Sequence, residues 1–289
     1  MNEIKNKRPR GRPRQGNADA TPAKALDKGL VALRAIAGSD GISLNDLSVD
    51  LDMPQATLHR LLLTLEAHGF VRQSKSDASW SIGIEAFRVG SAFPRAAKLL
   101  NIARPILKEL ALATGETSNL GVMDQSEVVF IGQHETHHAI RAFFRPGSRS
   151  SWHSSGIGKV IVAHSDFIDK KLYFDGASFE QFTKTTLIQS TELREEFKQI
   201  RRLGYALDDE ERFTGMRCIA APILNSNNEV VAGISISGPV ARMTDQAITM
   251  LGNETVAAGR ELSLQLGAIL DTDEMTPKDF FQHQNKQQP

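Results

Sequence analysis

Apolar residues recur three or four positions apart through the first 65 residues, a spacing that places them on one face of a helix. A first helix is predicted over residues 24–37, a second begins after Ser43, and a third begins with Pro54 in its first turn. Ser43 can cap the second helix with Asp46 as its partner. Proline suits the first turn of a new helix, so a tight turn before Pro54 is expected. The apolar side of the first helix carries Leu26, Leu30, Leu33 and Ile36.

Two short β-like runs follow the third helix, Phe70–Gln73 and Trp80–Ile82, with a polar turn between them. Two helices joined by a tight turn and followed by a hairpin are typical of a winged helix-turn-helix, whose second helix enters the DNA major groove. The leucines of the third helix face a core, which leaves its polar residues free to reach bases and phosphates. The predicted DNA-contacting residues are Gln55, Ala56, Thr57, His59 and Arg60 of this helix and Arg72 of the hairpin. An ordinary helical hairpin is the alternative.

A basic run precedes these helices, from Lys7 to Arg14, and is interrupted by two prolines and a glycine. Such a segment cannot form a core or a helix, but it suits an extended arm whose arginines enter a narrow minor groove. Arg10 and Arg12 are the predicted minor-groove contacts, in a tetrapeptide that resembles the AT-hook core. A solvated basic tail is the alternative. In either case the arm adds phosphate contacts, each worth about 0.9 in the slope of log affinity against log salt.

The charge of the chain is unevenly distributed. Its 289 residues carry 34 basic and 34 acidic side chains, yet residues 1–14 hold six lysines and arginines against one glutamate. DNA affinity is therefore expected at the N-terminal end and not in the rest of the chain. No apolar run approaches the ~18 residues of a membrane span, and one cysteine suits a reducing compartment. A cytoplasmic, nucleoid-associated protein with no membrane contact is predicted.

The pattern changes after Gly115, where short β-like runs alternate with helices. The predicted strands are 118–123, 127–133, 139–144, 217–224 and 229–237, and the predicted helices are 155–164, 191–203 and 244–268. This order predicts an α+β domain around an antiparallel sheet. The predicted organisation is a disordered arm (1–20), a winged helix-turn-helix (21–83), a linker helix (84–100), an effector domain (101–270) and a loose polar tail (271–289).

A hairpin is predicted around Asn225–Asn228, with a register in which paired residue numbers sum to 453. This register places Cys218 opposite Ser235 and Met216 opposite Ser237, with all four side chains on one face. A thiol, a thioether and two hydroxyls are unusual for a pure core, because a buried hydroxyl needs a partner. A small polar ligand can be that partner; backbone or water is the alternative.

A second segment can complete such a pocket. Ser154–Lys159 precedes an apolar run and indicates the start of a helix, where free backbone N–H groups favour a carboxylate. This segment is not a phosphate-binding P-loop, because the upstream glycine is missing and Val160 stands where the motif has serine or threonine.

Three other functions are less well supported by the sequence. Catalysis by Cys218 or by a Ser155–His153 pair is disfavoured, because a lone cysteine in a β run is more often a buried small hydrophobe and no nucleophile elbow is present. A metal site at His134, Glu135, His137 and His138 lacks a matching second half. An architectural binder of AT-rich DNA would use the arm alone. No enzyme activity, cofactor or metal is predicted.

The chain resembles IclR-type bacterial transcriptional regulators over nearly its whole length after the arm. The matching segments are Gly41–Leu44, Pro54–Leu62, Gly69–Val71, His153–Lys159, Gly204–Pro222 and Ser235–Pro239. The family implies a winged helix-turn-helix, a linker helix and a GAF-like effector domain, assembled as homodimers or as dimers of dimers. Such a dimer would bind a pseudo-palindromic operator, and a small anionic metabolite would change its affinity for that DNA.

The resemblance extends to the glyoxylate-responsive branch of the family. It implies Asp208, Cys218, Ser235 and Ser237 as polar contacts, Gly156 and Ile157 as backbone donors, and Met216 on the apolar wall. The chain departs from that branch at Ala142 and Ser150, where bulky apolar residues are usual, and these changes leave room for a larger or more polar effector. Trp80 stands where the family usually has tyrosine, a change expected to be neutral.

Overall fold

The computed structural model describes residues 23–91, 94–165 and 179–270. These residues form two compact units, one ending at Pro94 and one beginning at Arg95. The predicted basic arm and polar tail lie outside the described residues, and so do Arg10 and Arg12.

The described residues 23–91 of the first unit contain four helices and a two-stranded antiparallel sheet. In chain order they are α1 (Lys24–Ala37), α2 (Leu44–Asp50), α3 (Gln55–Ala67), β1 (Val71–Gln73), β2 (Trp80–Ile82) and α4 (Ile84–Ser91). Ser43 caps α2 as predicted, since its hydroxyl accepts from the Asp46 backbone N–H at 3.1 Å and donates to the Asp46 carboxylate at 2.7 Å. The predicted helix-turn-helix with its wing is confirmed.

The core of this unit joins the three helices to the wing. It consists of Ala32, Ile36, Leu47, Leu58, Leu62, Val71 and Trp80. Burying each large side chain stabilises the unit by about 1.5–3 kcal/mol, which fixes α3 against α2 and the wing. The apolar side of α1 is only partly used, because Leu26 is 64% and Leu30 47% exposed.

The second unit is built on one six-stranded antiparallel sheet, so the predicted α+β class is confirmed. The helix α5 (Pro94–Thr114) precedes it, and its strands are β3 (Thr117–Asp124), β4 (Glu127–His134), β5 (Arg149–Ser151), β6 (Ala206–Asp209), β7 (Met216–Leu224) and β8 (Val230–Pro239). The strand order is β5-β4-β3-β8-β7-β6. A short 3-10 turn leads into α6 (Gly156–His164), and α7 (Ser190–Leu203) and α8 (Ile248–Gln265) complete the unit.

Each face of this sheet carries its own core. Helices α5 and α8 cover one face, where Ile219, Ile234 and Ile236 are fully buried. Helices α6 and α7 cover the other, and Ile157 of α6 lies directly on the strands. A Cβ atom at Gly233 would lie 2.9 Å from the Ile157 side chain, so glycine there permits the close approach of α6 to the sheet.

Two details of the sheet differ from the sequence prediction. Residues 139–144 form no strand, whereas the short strands β5 and β6 were not predicted. The β7–β8 register also differs, because Cys218 pairs with Ser237 and Ala220 with Ser235, a sum of 455 instead of 453. The loop closes at the pair Asn225 and Glu229, with Asn228 at φ 58°, and this loop raises the sum of paired residue numbers by one. An irregularity in the strand pairing at Ile223/Leu224 raises the sum by one more. A shift of two residues keeps every side chain on its predicted face.

Candidate DNA-contacting face and effector pocket

The N-terminal turns of α3 present polar side chains to solvent. Gln55, Ala56, His59 and Arg60 are exposed, and Thr57 is half-buried. Gln55 donates from its amide nitrogen to Asn45 Oδ1 at 3.0 Å, which ties the start of α3 to α2. These residues therefore lie on one accessible surface of the first unit, at the end of the helix that a winged helix-turn-helix inserts into DNA.

A groove between α1 and α3 adds positive charge beside this surface. It is lined by Lys24, Ala25, Lys28, Thr57, Arg60, Leu61 and Thr64. Sequence reasoning missed Lys24 and Lys28, although their spacing of four places both on one face of α1. Two lysines and an arginine around an open groove are suited to phosphate oxygens.

The wing also carries a predicted contact residue. Arg72 is exposed, and its Nε donates to Ser81 Oγ at 3.1 Å, a bond that holds the side chain along the hairpin. The His59 ring lies edge-on to the buried Trp80 ring with centroids 6.5 Å apart. Trp80 therefore joins the wing to α3.

The second unit contains a small pocket between the sheet and the start of α6. The space that the centre of a water-sized sphere can occupy is about 30 Å³. Its lining consists of Phe130, Phe144, Ser150, Ser154, Ser155, Asp208, Arg212, Phe213, Met216, Arg217, Cys218 and Ser237. One water needs roughly 10–15 Å³ on this measure, so the pocket has the size of a molecule with a few heavy atoms.

The N-terminus of α6 lies against β7 at this pocket. A Cβ at Gly156 would lie 3.4 Å from Cys218 Sγ, so the helix start and the strand are in contact. Ser155 caps the helix, since its hydroxyl accepts from the Gly158 backbone N–H at 3.5 Å. The N–H groups of Gly156 and Ile157 have no partner within the helix, and with the helix dipole they favour an anion.

Hydroxyl and thiol groups form the sheet side of the pocket, and a buried amide lies behind them. Asn119 of β3 is fully buried and donates from Nδ2 to Ser237 Oγ at 3.2 Å and to Ser235 Oγ at 3.4 Å. Sequence reasoning missed Asn119, because its strand gives no signal of its neighbours in the sheet. Burial and the nearby Asp208 charge raise the pKa of Cys218 to about 11. Cys218 is therefore a neutral thiol and a weak donor at pH 7.

Asp208 of β6 supplies the acidic group of the pocket. Burial, and after it the charge of Glu211, raise the pKa of Asp208 to about 7. Its Oδ1 accepts from the Glu211 backbone N–H at 2.8 Å, which holds the carboxyl in place. The pocket therefore exchanges a proton near neutral pH.

Two cations near the pocket are already paired. Lys159 is fully buried and donates to Glu211, to Glu196 at 3.2 Å and to the Leu207 carbonyl at 2.5 Å. Although burial lowers the pKa of Lys159, the charges of Glu211 and Glu196 raise it further, so the ammonium stays charged.

The second paired cation is Arg217, whose guanidinium lies on the opposite face of the sheet. It contacts Asp209 at 2.6 Å, Asp245 at 2.7 Å and the Met243 carbonyl at 2.7 Å.

The sequence-predicted effector residues do not all reach the pocket surface. Asp208, Met216, Cys218 and Ser237 line it, whereas Ser235 lies behind them against Asn119. Gly156 and Ile157 are buried, and neither is part of the lining.

Ala142 and Ser150, the two positions at which the sequence predicts extra room for an effector, also differ in position. Ser150 lines the pocket, whereas Ala142 is buried outside the lining. The stacked rings of Phe130 and Phe144, with centroids 4.5 Å apart, form the apolar wall.

The residues considered for catalysis and metal binding have other partners. His153 Nε2 lies 3.0 Å from the Glu180 carbonyl, and the Ser155 hydroxyl caps α6. The Glu135 carboxylate accepts from Arg141 at 2.6 Å. Within 23–91, 94–165 and 179–270, no three His, Cys, Asp or Glu side chains are grouped to hold a metal ion. No helix among these residues is both long enough and apolar enough to cross a membrane.

Comparison with known proteins gives matches over both units. The model of the IclR helix-turn-helix domain matches residues 25–75, and that of the C-terminal domain of bacterial IclR transcriptional regulators matches residues 94–264. The chain is 45% identical over 272 residues to the HTH-type transcriptional regulator BhcR of Paracoccus denitrificans, covering 92% of this chain and 98% of that protein. It is 39% identical over 267 residues to the transcriptional repressor IclR of Escherichia coli, covering 90% and 97%. The crystal structure of Thermotoga maritima IclR is similar with a TM-score of 0.71 at 28% identity, covering 84% of this chain and 99% of that one.

Proposed function

The chain belongs to the IclR family of bacterial transcriptional regulators, and from this premise we propose that it senses a small carboxylate or 2-oxoacid such as glyoxylate. Its relatives are transcriptional regulators and not enzymes, and this protein is likewise a transcriptional regulator and not an enzyme. The proposal concerns the identity of the effector, the residues that bind it and the assembly that reads DNA.

The observation that carries the effector proposal is the size and lining of the pocket. A space of about 30 Å³, lined by Ser237, Cys218 and Asp208 beside the start of α6, suits a compact acid with several oxygens. A five-atom acid such as glyoxylate gains at most about 7–8 kcal/mol, near micromolar affinity. Its carboxylate would be bound by the N–H groups of Gly156 and Ile157.

Operator binding measured by fluorescence anisotropy tests this proposal. The DNA is the segment flanking the protein's own gene, titrated with glyoxylate, pyruvate, glycolate and oxalate. We expect one acid to change the operator affinity about 5- to 150-fold. Cys218→Ala and Ser235→Ala should each weaken the response, because one removes a pocket donor and the other a partner of Asn119. A wild-type response in both variants would contradict the pocket assignment.

A larger acid is the second candidate, and Ser150 favours it. This small side chain lines the pocket where the glyoxylate-responsive branch has a bulky one, so the wall leaves more room on that side. Benzoate in the same titration distinguishes the two. A response to benzoate without a response to the two- and three-carbon acids would select the larger effector.

The DNA contacts are proposed from exposure and position on α3. Gln55, Thr57 and Arg60 are proposed to contact base edges, at about 1–3 kcal/mol for each good bidentate contact. His59 and Arg72 are proposed to contact phosphates. Alanine at a base-reading position should relax sequence preference, whereas alanine at a phosphate-contacting position should weaken binding to all sequences equally.

A homodimer is proposed from unused apolar surface on the first unit. Leu26 and Leu30 of α1 are 64% and 47% exposed, and Ile84 and Phe87 of α4 are 78% and 71% exposed. A second copy of the chain that covered them would present two copies of α3 to a pseudo-palindromic operator. Analytical ultracentrifugation checks this: Leu30→Glu and Phe87→Glu should produce monomers, and a further assembly into tetramers would appear as a separate species.

A further inference from the structure

Arg212 is a cationic residue of the pocket lining, and one nitrogen of its guanidinium has no hydrogen-bond acceptor among the described residues. It lies in the loop between β6 and β7 and lines the pocket. Its guanidinium carbon lies 3.8 Å from the ring centroid of Phe182 and 5.4 Å from that of Phe213. A stacked guanidinium uses its flat face and leaves its N–H groups free in the plane. Ring stacking therefore holds the Arg212 side chain in place without using its N–H groups as hydrogen-bond donors.

One of these donors is buried without an acceptor. Arg212 Nη1 is shielded from solvent, and no residue in the described part of the chain accepts a hydrogen bond from it. A buried donor left without a partner destabilises the folded state, so a structure that retains one calls for an explanation. A bound anion at this point would supply the missing acceptor.

The other cations near the pocket cannot do this. Lys159 is surrounded by Glu196, Glu211 and the Leu207 carbonyl, and Arg217 is bound by Asp209 and Asp245. Asp208, the acidic residue of the lining, accepts from the Glu211 backbone instead of pairing with the Arg212 guanidinium. Among the described residues of the lining, Arg212 is therefore the cation that has a donor to spare.

We propose that Arg212 Nη1 binds a carboxylate of the effector, which makes the pocket selective for acids over neutral molecules of the same size. This inference rests on the proposed effector pocket and adds a charged contact to its backbone, hydroxyl and thiol donors. A guanidinium is suited to the role, because its planar N–H groups match the geometry of a carboxylate. Phe182 and Phe213 act as positioning residues through the guanidinium.

Binding of paired acids and amides to variants of Arg212 tests the proposal. The probes are glyoxylate, pyruvate and glycolate with their uncharged amides, and calorimetry gives the dissociation constants for the full-length protein. The variants are Arg212→Gln, Arg212→Lys and the matched control Arg202→Gln, which removes a charge from an exposed position on α7. We expect Arg212→Gln to weaken acid binding about 10- to 100-fold and amide binding far less. Arg212→Lys keeps the charge without the planar donors, so its acid affinity should lie between those of the wild type and Arg212→Gln. The acid affinity of Arg202→Gln should match that of the wild type.

The outcomes separate this inference from the proposed function. Equal acid affinity in wild type and Arg212→Gln would overturn the role of Arg212 and leave the effector pocket standing. An equal loss for acid and amide would also overturn it, because it would show a structural effect. If no acid binds the wild type, the proposed effector class and the role of Arg212 both fail. Operator affinity without acid, unchanged in all variants, shows that each variant is folded.

Discussion

Asp208 gives the proposed effector pocket a charge that depends on pH. Burial and the Glu211 charge raise its pKa to about 7, and Lys159 opposes that shift. Cys218, with a pKa of about 11, stays a thiol over the same range. Small carboxylic acids are ionised between pH 6 and 8, so only the pocket changes charge. Protonation of Asp208 removes a negative charge that repels the acid and creates an O–H donor.

We therefore predict that acid affinity rises as the pH falls from 8 to 6. For a group with a pKa of about 7 the increase is at most about tenfold, if the acid binds only the protonated form. Calorimetry at constant ionic strength measures it, and Asp208→Asn, which is neutral throughout, is the matched control and should show a flat profile. Affinity that rises with pH, or the same slope in Asp208→Asn, would contradict the prediction.

Gly158 determines how α6 starts, and therefore where its free N–H groups lie. A Cβ at this position would lie 2.3 Å from the Trp152 carbonyl oxygen and 2.4 Å from Trp152 Cα, both backbone atoms that cannot move alone. Gly158→Ala should therefore destabilise the second unit by about 1–3 kcal/mol or more and weaken effector binding. Urea unfolding measures the first effect.

The matched control for this prediction is Gly90→Ala in the exposed part of α4. A Cβ there meets nothing within 4 Å, so the change should be neutral or slightly stabilising, by up to about 1 kcal/mol. If Gly158→Ala were as stable as Gly90→Ala, close packing would not set the start of α6.

The groove between α1 and α3 yields a prediction about DNA. Lys24 and Lys28 line it beside Arg60, and neither lysine is part of the recognition helix. We predict that Lys24→Gln and Lys28→Gln each lower the slope of log affinity against log salt by about 0.9 for every phosphate that the lysine neutralises in the wild type. Preference among operator sequences should not change, because phosphate contacts carry no base information.

Anisotropy titrations over a range of salt concentrations measure that slope. Lys184→Gln with Lys198→Gln in the second unit is the matched control and should leave it unchanged, since both lysines are exposed and far along the chain from the first unit. A changed base preference with an unchanged salt slope would show that α1 does not contact phosphates.

The sequence predicts those elements whose structure depends on residues close together in the chain, and it predicts less well those that depend on distant residues. Helix and strand periodicity predicts α1 to α3, the wing and the pocket face of β7 and β8, since each depends on residues close in sequence. The register of β7 and β8 depends on a left-handed residue at Asn228 and an irregularity at Ile223/Leu224, which alternation does not indicate. The four-residue strand β6 is too short to give a periodic signal.

The pocket is predicted less completely than the fold, for the same reason. Strand alternation predicts the polar residues of β7 and β8, and family resemblance supplies Asp208. Asn119 supports Ser235 and Ser237 behind the pocket only because β3 pairs with β8, with Asn119 opposite Ser235. Arg212 stands out only through a buried donor and the rings it stacks on. Neither property is visible before the chain is folded.

At the scale of the whole molecule, the proposed effector pocket and the proposed DNA-contacting face belong to separate units, which divide at Pro94. In such a regulator the effector changes the operator affinity through a coupling free energy. The same free energy describes how the operator changes the effector affinity. A small acid with about 7–8 kcal/mol of binding free energy at most can contribute a coupling of about 1–3 kcal/mol without losing its own affinity. The size of the pocket therefore limits the size of the response.

This reciprocity is a prediction that holds whether the protein represses or activates. If glyoxylate changes the operator affinity by a factor between about 5 and 150, the operator must change the glyoxylate affinity by the same factor and in the same direction. Calorimetric titration of glyoxylate into free protein and into protein saturated with operator DNA measures the second factor, and anisotropy measures the first. A scrambled DNA of equal length is the control, because it occupies the basic surface without the base contacts of α3. Unequal factors would mean that the acid acts on a species outside this cycle, such as a different oligomer, and the two-site account of the molecule would then be wrong.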